Sequence, residues 1–263
     1  MAQKIGSPPF LNYRSAVAGN REIFLLNHQL YMDCFFAADQ NFGPLGETLR
    51  TGRNSAGKTQ VSLIPFLLLI QRQALAAFDT LSSDLCYQAW VLFRPGLEST
   101  LIIGKWLDNP ENASIWSNRT SRRKEYEKAY SGKCLRSESI PNSPQLQEVL
   151  KRINDEFVHA NPDYYSRHLR RSDSVDHIDF YLGYFDEDDV QEAHAISLLS
   201  NLFHLQAGLA SAFSDHFNMT LNLPVPPSLF EDKVRQKREE LLQNEATRWI
   251  LQDLGMWSKN TVG

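Results

Sequence analysis

Arg94 and Glu98 stand four residues apart in an otherwise apolar stretch, Ala89-Trp-Val-Leu-Phe-Arg94-Pro-Gly-Leu-Glu98. At helical spacing their side chains share a face, provided Pro95 leaves the turn intact. An ion pair in such surroundings loses water, so each partner needs further hydrogen bonds. Arg152 and His159 form a second pair, seven residues and hence two helical turns apart on one face. An imidazole beside a permanently charged guanidinium suits metal-independent cleavage of RNA. The His would move a proton at the ribose 2′-hydroxyl while the Arg steadies charge on the phosphorane. In the competing reading both pairs are structural and fix helix register. Arg21 with His28 and Arg170 with His177 repeat such offsets elsewhere, so spacing alone leaves the two readings open.

Other motifs carry less. Gly52-Arg-Asn-Ser-Ala-Gly57-Lys58-Thr59 spells a phosphate-binding loop. That chemistry needs a buried strand before the loop and a helix directly after it. Leu45-Gly-Glu-Thr-Leu-Arg-Thr51 is too polar for such a strand, and the match is rejected. Arg167, His168, Arg170 and Arg171, and Arg119 with Arg122, Arg123 and Lys124, are basic clusters that read as solvated surface. Asp186-Glu-Asp-Asp189 lacks the spacing and glycine of a calcium loop and reads as the acidic first turn of a helix. Nothing here calls for a cofactor or a metal.

The elements that position these residues follow from periodicity. Residues 1–13 read as a tail. Ile23, Leu26, Leu30 and Phe35 suggest one helix from about Ser15 to Asp39, and the Gly- and Ser-rich residues 41–60 a connection. Leu63, Leu67, Ile70, Ala74, Ala77, Phe78 and Leu81 give a long apolar face, followed after Ser82-Ser-Asp84 by Leu85, Ala89, Leu92, Leu97, Leu101 and Leu107. These two helices form a hairpin, with Pro95 expected to kink or divide the second. A charged helix over 110–130 follows. Pro144 then opens an amphipathic helix reaching about His159. Ile178, Phe180, Leu182 and Tyr184 alternate like a short strand. Val190 to Phe217 is helical, and Ser228 with Glu231 predicts a capping box opening a C-terminal helix. The fold class is all-α: a multi-helix bundle with at most one short β segment near 178–184. The division is 1–60, an N-terminal helix and loop packed on the bundle; 61–220, the bundle core; and 221–263, a Pro-rich connector and amphipathic helix.

With 42% apolar and 22% charged residues among 263, the chain has the composition of a folded globular protein. A net charge of −4 exerts no overall pull toward nucleic acid or anionic lipid. Three widely spaced cysteines read as reduced thiols of a cytoplasmic protein. The opening MAQKIGSPPF has no apolar core of a secretory signal, and the greasy run Val61 to Ile70 is too short to cross a bilayer. No membrane partner is expected.

The block Arg72-Gln-Ala-Leu-Ala-Ala-Phe-Asp-Thr-Leu81, then Ala89 to Glu98, and the later Asn154-Asp-Glu-Phe-Val-His159-Ala-Asn-Pro162 resemble a bacterial family of uncharacterised helical proteins. That family is in turn distantly similar to the HEPN superfamily, many of whose members are metal-independent ribonucleases or toxins of host defence. The resemblance spans about residues 62 to 215. It implies a HEPN-like bundle in which Arg94 and Glu98 line a polar pocket against His159. Arg152 with His159 would be the catalytic pair, RNA the substrate, and a homodimer the assembly that completes the site. Ile153 departs from the pattern, standing where a polar residue is commoner. The alternative is a non-catalytic interaction or regulatory module.

Overall fold

The computed structural model describes residues 9–159, 169–173, 178–182 and 185–257. It is an all-α bundle. In chain order the elements are α1 (Pro9–Asn27), α2 (Gln29–Gln40) and α3 (Phe42–Thr51). A 3-10 turn (Val61–Leu63) leads into α4 (Ile64–Leu81), which is followed by α5 (Cys86–Asp108), α6 (Glu111–Ser117) and α7 (Arg123–Tyr130). A second 3-10 turn (Gly132–Leu135) precedes α8 (Ser143–Ile153), which continues as a π turn, Asn154–Val158. After the strands β1 (Leu169–Asp173) and β2 (Ile178–Leu182) come α9 (Asp188–Phe217), α10 (Pro227–Leu242) and α11 (Glu245–Trp249), the last running into a π turn, Ile250–Leu254. β1 pairs antiparallel with β2, Arg171 opposite Phe180, so the expected strand gains a partner that periodicity did not reveal. Arg167, His168, His177, Tyr184 and most of the expected tail lie outside the described residues.

The α4–α5 hairpin forms as its periodicity predicts. All seven inward positions, from Leu63 in the 3-10 turn to Leu81 of α4, are buried, as are Ala89, Leu97, Leu101 and Leu107 of α5. The helices approach closely at Gly96, where an added Cβ would lie 3.8 Å from the Ile70 Cα. Asp84 closes the turn in the left-handed conformation (φ 60°), which short polar side chains tolerate. Pro95 does not divide α5. Its missing N–H frees the carbonyl of Val91, on a partly exposed stretch where water can take its place.

Several expectations fail for identifiable reasons. α1 begins at Pro9, inside the expected tail. The chain breaks at His28 (φ −120°, ψ 45°), so a face counted through the break comes out wrong. Ile23 and Leu26 are 57% and 75% exposed, and the buried side chains are Phe24, Tyr31, Cys34, Phe35 and Ala38. The expected connection contains α3, whose Phe42, Leu45 and Leu49 are buried. Burying each is worth about 1.5–3 kcal/mol, which outweighs about 1 kcal/mol for each of Gly43 and Gly46. Gly52 therefore follows a helix, not a strand, consistent with rejecting the phosphate loop. The charged helix over 110–130 is two helices, α6 and α7, joined at Arg122 by its ion pairs to Glu111 and Glu125. The capping box is absent because α10 starts at Pro227 with Pro226 as its N-cap, two residues before the expected cap at Ser228. Ser228 then sits inside the helix, and Glu231, buried, lies 3.5 Å from His204. Val61–Leu81 is the one described helix long and apolar enough to cross a membrane, longer than the run read from sequence.

α9 is the centre of the molecule, buried along most of its length despite carrying Gln191, Ser197, Ser200, Asn201 and Gln206. Each of these meets a helix end or irregular backbone, Gln191 donating to the Leu81 carbonyl at the end of α4. The Ser197 hydroxyl donates to the Ile250 carbonyl, Ser200 to Met256 and Asn201 to Leu254, which together hold the C-terminal π turn. Gln206 donates to the Ala38 carbonyl (2.8 Å) and accepts from Asn41 (2.9 Å). Asn41 also donates to the Val225 carbonyl and accepts from the Val225 amide, clipping the Pro-rich connector to the start of α3. Asn41→Ala leaves buried partners without bonds, at about 1–3 kcal/mol. Urea unfolding should show a lowered midpoint with unchanged slope. A midpoint equal to wild type would mean the connector is held by other contacts.

Candidate functional site

Arg94 and Glu98 do meet. Within α5 the guanidinium reaches both carboxylate oxygens, Nη2 to Oε1 at 2.8 Å and Nη1 to Oε2 at 3.2 Å. The third bond comes from Arg94 Nε to Asn154 Oδ1, at 2.5 Å. Both charged side chains keep about a third of their exposure (30% and 34%), so the pair sits in a rim and not in the core. Asn154 is the first residue of the π turn, and its backbone carbonyl accepts from the His159 amide at 3.1 Å. One residue thus connects the charged pair to the segment that ends in His159.

The inner side of the same turn is held one helical turn earlier on α5. Phe157, fully buried, lies 5.7 Å from the ring of Tyr87, 6.2 Å from Trp90 and 6.2 Å from His194. The Trp90 indole donates to His194 Nδ1 at 2.9 Å. An indole N–H can only donate, so Nδ1 is unprotonated and this buried histidine is the neutral tautomer carrying its proton on Nε2. Trp90 inside and Arg94 outside therefore grip the π turn from α5.

The remaining predicted residues stand apart from that grip. Arg152 is half-buried on α8, and His159 is exposed just past the π turn. Among the described residues no hydrogen bond or ion pair joins either side chain to Arg94 or Glu98. The shared face expected of Arg152 and His159 assumed an α-helix through both. α8 ends at Ile153, and the wider π turn winds less per residue, so a seven-residue spacing no longer aligns the two. Periodicity could not foresee Asn154, although an arginine with five donors beside one carboxylate does signal a missing acceptor.

A second ionisable cluster went unread in the sequence because its members lie far apart in the chain. His28 Nδ1 lies 3.0 Å from Glu192 Oε1, and Lys237 Nζ lies 2.5 Å from Glu192 Oε2. Burial alone would raise the Glu192 carboxyl, but bonds from His28 and Lys237 win and hold it below the usual range. Close by, Asp186 accepts from the Cys86 amide and its own amide meets the Asp84 carbonyl. Burial, then the charges of Asp186 and Asp188, push Asp84 up to about 6, against a smaller opposing effect of His28. The cluster ties the α1–α2 break, the α4–α5 turn, α9 and α10 together. Among the described residues, no three His, Cys, Asp or Glu side chains are placed to hold a metal ion.

Asp84 gives a pH signature with a definite sign. Its folded pKa lies above its unfolded value, so its contribution is most favourable below about 4 and is lost as pH rises through about 6. Asp84→Asn keeps the left-handed turn and removes the charge. It should melt above wild type at pH 7.5, with the difference shrinking toward zero at pH 3.5. A lower melting temperature at pH 7.5 would show that the ionised carboxylate is stabilising. Comparison of the chain with protein families, characterised proteins and solved structures finds no match.

Proposed function

We propose that this chain is a HEPN-like, cytoplasmic helical module that works by interaction, with the Arg94–Glu98–Asn154 cluster as a structural clamp. The observation that carries this reading is the set of bonds on Arg94. Both terminal nitrogens are bound to Glu98 and Nε to Asn154. A guanidinium neutralised in this way is poorly placed to stabilise charge developing on a substrate. What it does instead is anchor the turn after α8 to the central hairpin. The site is then a joint between helices, and the surface it shapes is the functional part.

A second reading, a metal-independent endoribonuclease of the toxin or defence type, is favoured by one feature. His159 is exposed at the end of a π turn, and such turns are frequent at functional sites. In that reading Arg152 and His159 act on RNA, and Arg94 with Glu98 set the position of the turn.

Purified protein incubated with total RNA in the presence of a chelator separates the two. The module reading expects intact RNA with both wild type and His159→Ala, and a stability loss of about 1–2 kcal/mol for Asn154→Ala from its lost hydrogen bond. RNA cleavage by wild type that disappears in a folded His159→Ala protein would overturn it.

A further inference from the structure

α4 buries one side and leaves the other bare. At about 100° per residue, its exposed residues Pro65, Leu68, Leu69, Arg72, Leu75 and Asp79 all fall within about 80° of Pro65. Its buried residues lie at least about 120° away. Four of the six exposed side chains are apolar, and Leu68 and Leu75 are 49% and 58% exposed. The helix ending at Leu81 is apolar enough to cross a bilayer, yet only 33% of its most apolar stretch is buried. A helix apolar on all sides is ordinarily surrounded by protein or lipid.

Both flanks continue the apolar character. On one side the Gln71–Asp39 hydrogen bond (2.7 Å) and the Phe35–Phe78 stack (4.5 Å) carry the exposed Phe36 of α2 alongside Leu75. On the other, half-buried Phe66 lies 5.1 Å from Trp106 and 5.8 Å from Trp116, and the Trp106 indole donates to the Tyr130 hydroxyl. Trp and Tyr, apolar in body with a polar tip, suit the boundary between lipid and water.

We propose that the outer face of α4 rests on an anionic phospholipid surface, with the helix axis in the plane of the headgroups. Charge picks the occupant. Asp79 is paired with Arg21 at 2.6 Å, Asp39 accepts from Gln71, and Arg122 holds both Glu111 and Glu125. Arg72, in the middle of the face, and Arg119, 5.3 Å over the Trp116 ring, have no carboxylate partner among the described residues. The free charge around the face is thus cationic, complementary to lipid phosphates. The ridge of a single helix is convex, a shape that a fluid bilayer accepts and that gives a protein partner no recess for an anchoring side chain.

Arg72 also sets the depth. A charge halfway along α4 opposes a span. With the helix lying flat, Leu68, Leu69 and Leu75 enter the edge of the acyl region, and the Arg72 stem runs among them while its guanidinium turns back to the phosphates. The sequence argued against a membrane partner because the run from Val61 to Ile70 is too short to cross, but lying on a surface requires no such length. This contact goes beyond the module reading and is independent of the Arg94 cluster, so the RNA assay and the lipid assay fail separately.

Flotation of the full chain with phosphatidylcholine vesicles, with and without phosphatidylglycerol, tests the docking. Wild type should float with the anionic vesicles, less with the neutral ones, and less at high salt. Each buried methylene is worth about fourfold in partition, so Leu68→Gln and Leu75→Gln should each weaken binding about tenfold or more, with unchanged circular dichroism. Arg72→Gln should cost about fivefold on anionic vesicles only. Leu229→Gln, which alters an exposed leucine of α10 away from the face, should bind like wild type. Wild type that does not float, flotation indifferent to Leu68→Gln, or equal loss in Leu229→Gln would each overturn the proposal. So would self-association that Leu68→Gln abolishes and vesicles do not compete away.

Discussion

A helix buried on every side can carry polar residues only where each finds a partner, and α9 is such a helix. Its serines, asparagine and glutamines are bound to carbonyls at helix ends and in irregular segments: the ends of α2 and α4, the C-terminal π turn and, through Asn41, the connector at Val225. An unmet carbonyl in the interior costs about 1–3 kcal/mol, so these side chains decide where the irregular segments can lie. The apolar hairpin alone would leave them several equivalent places to pack. Non-directional burial makes the bundle compact, and the directional bonds of α9 give it one arrangement.

The same division of labour recurs at the π turn after α8. Phe157 brings the turn in by burial between Trp90, Tyr87 and His194, which fixes its depth but not its rotation. The bond from Arg94 to Asn154 fixes the rotation. Because α5 provides both contacts one turn apart, a change in the pitch of α5 near Pro95 would be felt at His159. Pro95 lies between Arg94 and Glu98, and with the helix unbroken there the bidentate pair can form.

Which parts of this were legible in the sequence follows the range of the interactions. The hairpin was, because its apolar positions recur at i, i+3, i+4 and i+7 over continuous helices. Arg94 with Glu98 was, because one helical turn determines their meeting. The acidic first turn of α9 was too, since Asp188 and Asp189 need only the helix they begin. The N-terminal face was not: a single non-helical residue, His28, shifts the phase, and nothing local marks it as a break. α3 was hidden by its glycines, whose propensity cost is overcome only by burial against other elements. Asn154, and the joining of His28, Glu192 and Lys237, depend on chain segments separated by up to 209 residues, and no spacing rule reaches that far.

The two polar clusters differ in a way that bears on what the bundle can transmit. The Arg94 pair lies at a rim where water screens it, so its contribution is geometric more than energetic. The Glu192 cluster joins four elements, with His28 and Lys237 on one carboxylate and a crowd of carboxylates around Asp84. Crowding like charges beside the α4–α5 turn places repulsion at one end of the central hairpin, while at the other end the Asp108 carboxylate is met by the Ser137 hydroxyl and the Glu138 and Ser139 amides. The hairpin is therefore more easily perturbed at Asp84 than at Leu107.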